Sequence, residues 1–156
     1  MKQITESNQL DKDHEMKMKS FGQAPYHCVG THEAPFKTEV CDYCSTVITI
    51  VFDCVSSDGH HFVLGSTCID HLNDRKLKYE VAEKLRERRE AKAQIKIDVA
   101  KKVYSDVSEK LKIQKHPNYY YANQGKTLLD YVDYLFKFGG TKGQLNASKI
   151  VMEASI

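Results

Sequence analysis

Residues 41–71 read CDYCSTVITIVFDCVSSDGHHFVLGSTCIDH, and the architecture turns on this stretch. It opens with Cys41-Asp42-Tyr43-Cys44 and closes with Cys68-Ile69-Asp70-His71, two pairs of the same spacing. Between them, Thr46 to Val55 (TVITIVFDCV) is rich in β-branched and aromatic residues. Ser57-Asp58-Gly59 supplies a turn, and His61 to Ser66 (HFVLGS) reads as the returning strand. The sequence therefore predicts a hairpin that brings the second pair back to the first. Thiolate sulfur and imidazole nitrogen are zinc donors, and two intervening residues let a tight turn aim both side chains at one ion. The expectation is one structural Zn2+ held by Cys41, Cys44, Cys68 and His71.

Ser66 or Thr67 is placed to cap a helix, which would set Cys68 and His71 on one face of its first turn. The run from Glu39 to Leu72 then resembles a treble-clef zinc finger: a knuckle, a hairpin and a helix donating the last two ligands. Ser45 stands where such knuckles often carry Gly, and the last ligand is His rather than Cys. The stretch CDYCSTVI…DGHHFVLGSTCIDHL is also similar to modules in small bacteriophage and plasmid proteins. The resemblance implies a structural metal and no particular activity.

The remaining cysteines read differently. Cys54 shares a strand face with Ile48, Ile50 and Phe52, which makes it a core thiol. Cys28, beside His27 and upstream of His32, is the alternative fourth ligand to His71. His60 and His61 fall at the turn tip and read as solvated. Five cysteines are an odd number for a disulfide framework. The first twenty residues (MKQITESNQLDKDHEMKMKS) lack the apolar core of a secretory signal. Val47 to Phe52 is the longest apolar run and is too short to span a bilayer. These features together point to a reducing, cytoplasmic setting and no membrane partner.

With 156 residues, 41% hydrophobic and 28% charged, the chain is neither collagenous nor wholly disordered. Its expected class is α+β, in four stretches: a flexible polar arm over 1–20, a zinc-binding β-hairpin module over 21–73, a long basic helix over 74–115 and a C-terminal helical segment over 116–156. Residues 21–35 (FGQAPYHCVGTHEAP) read as loop because of their Gly, Pro and His content. From Asp70 to Lys115 there is no Gly or Pro. Leu77, Val81 and Leu85, and then Ile95, Val99, Val103, Val107 and Leu111, recur every fourth residue as a helical stripe. One helix over 74–113 would be about 60 Å long, so it must project, pair or break. Arg86 to Glu90 is the expected bend or exposed middle. His116-Pro117 ends this helix. Thr127 and Asp130 have capping-box spacing before LLDYVDYLFKF, Gly139-Gly140 stops that element, and Gln144 to Ala154 forms a last short helix.

Enzyme patterns are incomplete. Nucleobase deaminases need His-x-Glu and Pro before the Cys pair, whereas His32-Glu33 are adjacent and Val40 precedes Cys41. Gly125-Lys126-Thr127 ends like a phosphate loop, but Tyr120 stands where its first Gly belongs. A turn followed by a helix cap explains that triplet. A nuclease centred on His60 or His61 with Asn73 would lack its carboxylate cluster. The chain therefore reads as a non-catalytic binding protein. Residues 74–115 hold 14 Lys and Arg against 8 Asp and Glu, while the whole chain holds 23 against 21.

Two partner classes follow. The amphipathic, charge-interleaved helix suits a protein–protein adaptor or inhibitor, or self-association into a homo-oligomer. The phage-like resemblance implies a host enzyme or defence complex as its target. The alternative is nucleic-acid binding. In that reading Arg75, Lys76, Lys78, Lys84, Arg86, Arg88, Arg89 and Lys92 contact phosphates, and Tyr119, Tyr120 and Tyr121 stack on bases. The tyrosine run has a plainer reading as helix-packing aromatics.

Overall fold

The computed structural model describes residues 12–156. Of the expected polar arm, residues 1–11 lie outside the described part and 12–20 form a helix, α1. Five strands follow: β1 (Tyr26–Glu33), β2 (Glu39–Val40), β3 (Val47–Ile48), β4 (Ile50–Ser56) and β5 (His61–Leu64). The helices are α2 (Arg75–Lys112), α3 (Tyr119–Asn123), α4 (Leu128–Phe138) and α5 (Gly140–Ala154). The class is α+β. The chain divides into two compact units, one running to Glu87 and the other from Arg88 to Ile156, with the division inside α2. No helix among the described residues is long and apolar enough to cross a membrane.

In the first unit the hairpin forms as the sequence indicates, β4 pairing antiparallel with β5 so that Cys54 faces Phe62 and Phe52 faces Leu64. The turn closes through the N–H of Ser56 donating to the carbonyl of His60, with Gly59 at positive φ. Asp58 organises its base, accepting from the Ser56 hydroxyl and from the Gln23 N–H at 2.9 Å. That network holds the Asp58 carboxyl down at about 2, the Ser56 hydroxyl being the largest cause. His60 pairs with Asp58 at 3.3 Å, while His61 is exposed.

Two expectations are corrected here. Residues 26–33 are not loop: they form β1, which pairs antiparallel with β4 to give the order β1-β4-β5. The Gly, Pro and His around Tyr26-His27-Cys28 hid an in–out alternation in which Tyr26 and Cys28 are buried. A register shift between Cys28 and Gly30 bulges the strand. The stretch 46–55 is also not one strand. It bends at Thr49, so that Val47–Ile48 pairs with Glu39–Val40 and Ile50–Ser56 enters the larger sheet. Tyr26, Cys28, Phe52, Cys54, Phe62 and Leu64 then form one face, covered by Phe21, Ile69, Leu72 and the first turns of α2 through Leu77 and Val81. Phe21 stacks on Phe62 at 4.6 Å, and Tyr26 meets the same ring edge-on.

The helix expected to start at Cys68 starts later. Cys68–Leu72 is a 3-10 turn ended by Asn73 at φ 56°, and α2 begins at Arg75. Asp74 is the residue that caps it, accepting from the N–H groups of Lys76 (2.9 Å) and Leu77 (3.1 Å). Its second oxygen accepts from the Tyr26 N–H at 2.9 Å, and Glu80 accepts from the Cys28 N–H at 2.8 Å and meets His27 Nδ1 at 3.1 Å. The start of α2 is thereby tied to β1.

No break interrupts α2 at Arg86–Glu90. That stretch consists of good helix formers carrying i,i+3 pairs, Arg86 with Glu83 and Lys84 with Glu87. Arg86, Glu87, Arg89 and Glu90 are exposed, matching the exposed-middle alternative.

Along the second unit's part of α2, the four-residue stripe holds only at its end. Val107 and Leu111 are buried and Val103 is half-buried, whereas Ile95 and Val99 are exposed. Ala93, Ile97 and Ala100 are buried instead. A four-residue repeat advances about 40° per step on a helix of 3.6 residues per turn, so Ile95 and Leu111 lie about 160° apart. They cannot share a face. Ala100, Val107 and Leu111 pack with Val132 and Leu135 of α4 and with Ala147 and Val151 of α5.

The connection from α2 to α4 is pinned at its neck. Lys115 bridges Thr127, the Leu128 N–H donates to the Gln114 carbonyl at 2.8 Å, and the His116 N–H donates to the Lys126 carbonyl at 3.2 Å. Thr127 caps α4 in a full capping box with Asp130, which is the turn-and-cap reading of Gly125-Lys126-Thr127. At Gly139 any Cβ would meet the Leu135 carbonyl at 2.5 Å, so only glycine lets α5 start immediately behind α4. The last helix consequently begins at Gly140, four residues before the expected Gln144.

Candidate metal centre and aromatic surface

Cys41, Cys44 and Cys68 converge, with their sulfur atoms all within 4.8 Å of one another. Such a set can hold a metal ion. The knuckle that aims the first two is closed by the Ser45 N–H donating to the Cys41 carbonyl at 2.8 Å and the Cys41 N–H donating to Thr46 at 2.9 Å. Ser45 takes φ 57°, the left-handed conformation that makes Gly common at this position. Asp42 then ties the knuckle to β5: its N–H donates to the Val63 carbonyl and its carboxylate accepts from the Val63 N–H. Gly65 gives the chain room to pass, because a Cβ there would meet Ile48 at 2.8 Å. Its N–H donates to the Cys41 sulfur at 3.5 Å, and its carbonyl accepts from the Cys68 N–H.

The three thiols are not equivalent. Cys41 and Cys68 are buried, Cys44 is exposed. The hydroxyl and N–H of Thr46, and then the Cys68 thiol, hold Cys44 down at about 7. Burial, followed by the hydrogen bonds to its two neighbouring sulfurs, pushes Cys68 up to about 12. Negative charge on three adjacent sulfurs is self-opposing, and a cation among them removes the opposition.

His71 lies outside that mutually close set. Its ring stacks on Tyr43, the residue preceding Cys44, at 4.6 Å and 6° between planes. Because i and i+3 eclipse in a 3-10 turn, Cys68 and His71 still share a face. The Tyr43 hydroxyl meets His14 Nδ1 at 2.9 Å. Cys28 is elsewhere: it stands opposite Cys54 across β1 and β4, its thiol donating to the Gly30 carbonyl at 3.3 Å and that of Cys54 to the Phe52 carbonyl at 3.6 Å. Cys54 is buried, as a core thiol should be. His32 pairs with Asp53 at 3.0 Å.

The candidate phosphate ligands all lie on α2, and several are already in ion pairs. Arg75, Lys76, Lys78, Lys84 and Arg86 belong to the first unit, and Lys78 pairs with Asp70 at 3.0 Å, Lys84 with Glu87 and Arg86 with Glu83. Arg88, Arg89 and Lys92 belong to the second. Tyr119, Tyr120 and Tyr121 stand at the start of α3 in the second unit and are 81%, 65% and 46% exposed, Tyr121 packing on the His116 ring. Tyr134 and Phe138 on α4 are also exposed. The sequence reading missed Tyr134 and Phe138 as surface features, because LLDYVDYLFKF looks apolar nearly all round. The aspartates at 130 and 133 were the available signal for its open side.

No protein-family model, curated protein or solved structure matches the chain.

Proposed function

We propose that this is a zinc-stabilised, non-catalytic protein whose helical unit binds single-stranded nucleic acid. The zinc reading rests on three convergent sulfurs with His71 next along the turn, a soft donor set that suits a closed tetrahedral site. His71, three residues after Cys68 on the same turn, is the proposed fourth donor. The nucleic-acid reading rests on one observation: three consecutive tyrosines stand exposed on a unit that holds 13 Lys and Arg against 7 Asp and Glu. Aromatic faces accept any base, and the cationic surface follows the backbone. Fluorescence anisotropy of a labelled single-stranded oligonucleotide tests it. Affinity is expected to fall steeply between 50 and 200 mM salt on the counterion-release scale, and Tyr119→Ala with Tyr120→Ala to weaken binding by about tenfold or more. Binding that ignores both salt and the tyrosines would defeat the reading.

A second reading, a helical protein partner or a second copy of this chain, is favoured by exposed Ile95 and Val99 one turn apart on α2. Sedimentation should then show a complex that Ile95→Asp with Val99→Asp dissolves. A monomer at all concentrations, with no partner captured by α2, would remove it.

A further inference from the structure

The second unit carries a cavity of about 750 Å³, lined by His116, Tyr121, Lys126, Tyr131, Asp133 and Tyr134 among others. That volume is in the range of small-ligand sites. It lies beside the neck that fastens the α2–α4 connection, so its walls are held by backbone bonds on both sides. The His116 ring touches Tyr121 at 5.0–5.1 Å between centroids and Tyr131 likewise, at 58° and 68°, a braced aromatic corner. The N–H of Asn118 donates to His116 Nδ1 at 3.0 Å, which leaves the proton of the neutral imidazole on Nε2.

The polar groups of this cavity have capacity to spare. No hydrogen bond is made by the hydroxyls of Tyr121, Tyr131 or Tyr134 within the described residues, nor any ion pair by Lys126. Asp133 accepts from the Tyr104 hydroxyl with one oxygen, and a carboxylate has further lone pairs to offer. Flat aromatic faces, phenol and imidazole donors, one carboxylate acceptor and a cation at the wall make a set with a definite complement. A purely anionic ligand would meet Asp133 and Asp130 as repulsive neighbours. A purely apolar one would leave the donors unpaired.

We infer that this cavity takes one unstacked nucleobase bearing an exocyclic amino group. The amino group donates to Asp133, ring nitrogens or carbonyls accept from the tyrosine hydroxyls and His116 Nε2–H, and Lys126 faces the attached phosphate. This rests on the nucleic-acid reading and adds base preference to it: cytosine, adenine or guanine over uracil or thymine. Carboxylate recognition of an amino donor is an established mode of base discrimination.

Isothermal titration calorimetry of the full chain with CMP, AMP, GMP and UMP, beside inorganic phosphate, tests the inference. At least one amino-bearing nucleotide is expected to bind about tenfold or more tighter than UMP, with phosphate not competing. Asp133→Asn should cancel that preference, and Tyr134→Ala should weaken every nucleotide; both positions are exposed, and far-UV circular dichroism verifies the fold. Equal binding of UMP, displacement by phosphate, or an unchanged Asp133→Asn profile would overturn the cavity assignment. The comparison of UMP with CMP on the unaltered chain needs no variant. If oligonucleotides bind while mononucleotides do not, the cavity inference falls and the strand-binding reading stands. If neither binds, both fall.

Discussion

Cys44→Ser is expected to abolish binding of the proposed zinc and unfold the unit that runs to Glu87. Structural zinc in small modules contributes on the order of 10–16 kcal/mol at neutral pH. A whole domain is stable by only about 5–15 kcal/mol, so losing most of that contribution exceeds what the remaining core can supply. Cys44 is the informative position because it is exposed, unlike Cys41 and Cys68. Serine there removes a metal donor without opening a cavity. Cys54→Ala is the counterpart: it truncates a buried thiol outside the cluster, and should cost stability while leaving the metal in place. Elemental analysis and hydrogen exchange over residues 41–72 report both outcomes. About one zinc per chain is expected in the parent protein and in Cys54→Ala, and none in Cys44→Ser. A metal-free parent, or unaltered exchange in Cys44→Ser, would refute the assignment.

Leu111→Ala is expected to destabilise the second unit by about 2–5 kcal/mol, since a fully buried leucine leaves a void among Val132, Leu135, Ala147 and Val151. For a unit of this size that lowers its melting temperature by roughly 10 °C or more. Val99→Asp, by contrast, should change stability by less than about 1 kcal/mol, because Val99 is exposed. If both residues lay on one buried stripe, as their four-residue spacing alone suggests, the aspartate would be at least as damaging as the cavity. Thermal unfolding of the two variants decides between these placements.

The same pair explains what could be read in advance. Local signals carried well: Cys41 and Cys44 are set by one tight turn, Ser57-Asp58-Gly59 by another, and Thr127 with Asp130 by a three-residue reach. Cys68 joined them because a hairpin returns the chain on itself. Signals that accumulate error along the chain did less well. A spacing of four is right over one or two turns of helix and wrong over about four, and so Val107 and Leu111 are buried while Ile95 is not. β1 was hidden for a different reason. Its pairing partner β4 lies well downstream, with Glu33 opposite Ile50 and Tyr26 opposite Ser56, and the Gly, Pro and His around Tyr26 and Cys28 mask the alternation. The fold of Cys68–Leu72 was also open, since a 3-10 turn and an α-helix both place Cys68 and His71 together.

The attachment of β1 to α2 has an effect on crowding in the cell. An outermost ribbon normally offers free amides on which a stranger's backbone can lie. Here Asp74 and Glu80 already receive those of Tyr26 and Cys28, and both acceptors are anionic. An incoming strand would have to evict two carboxylates and then endure their proximity. The molecule thus carries its own guard against edgewise polymerisation on that flank, built from the side chain that caps its longest helix, Asp74, and from Glu80 in the second turn of the same helix.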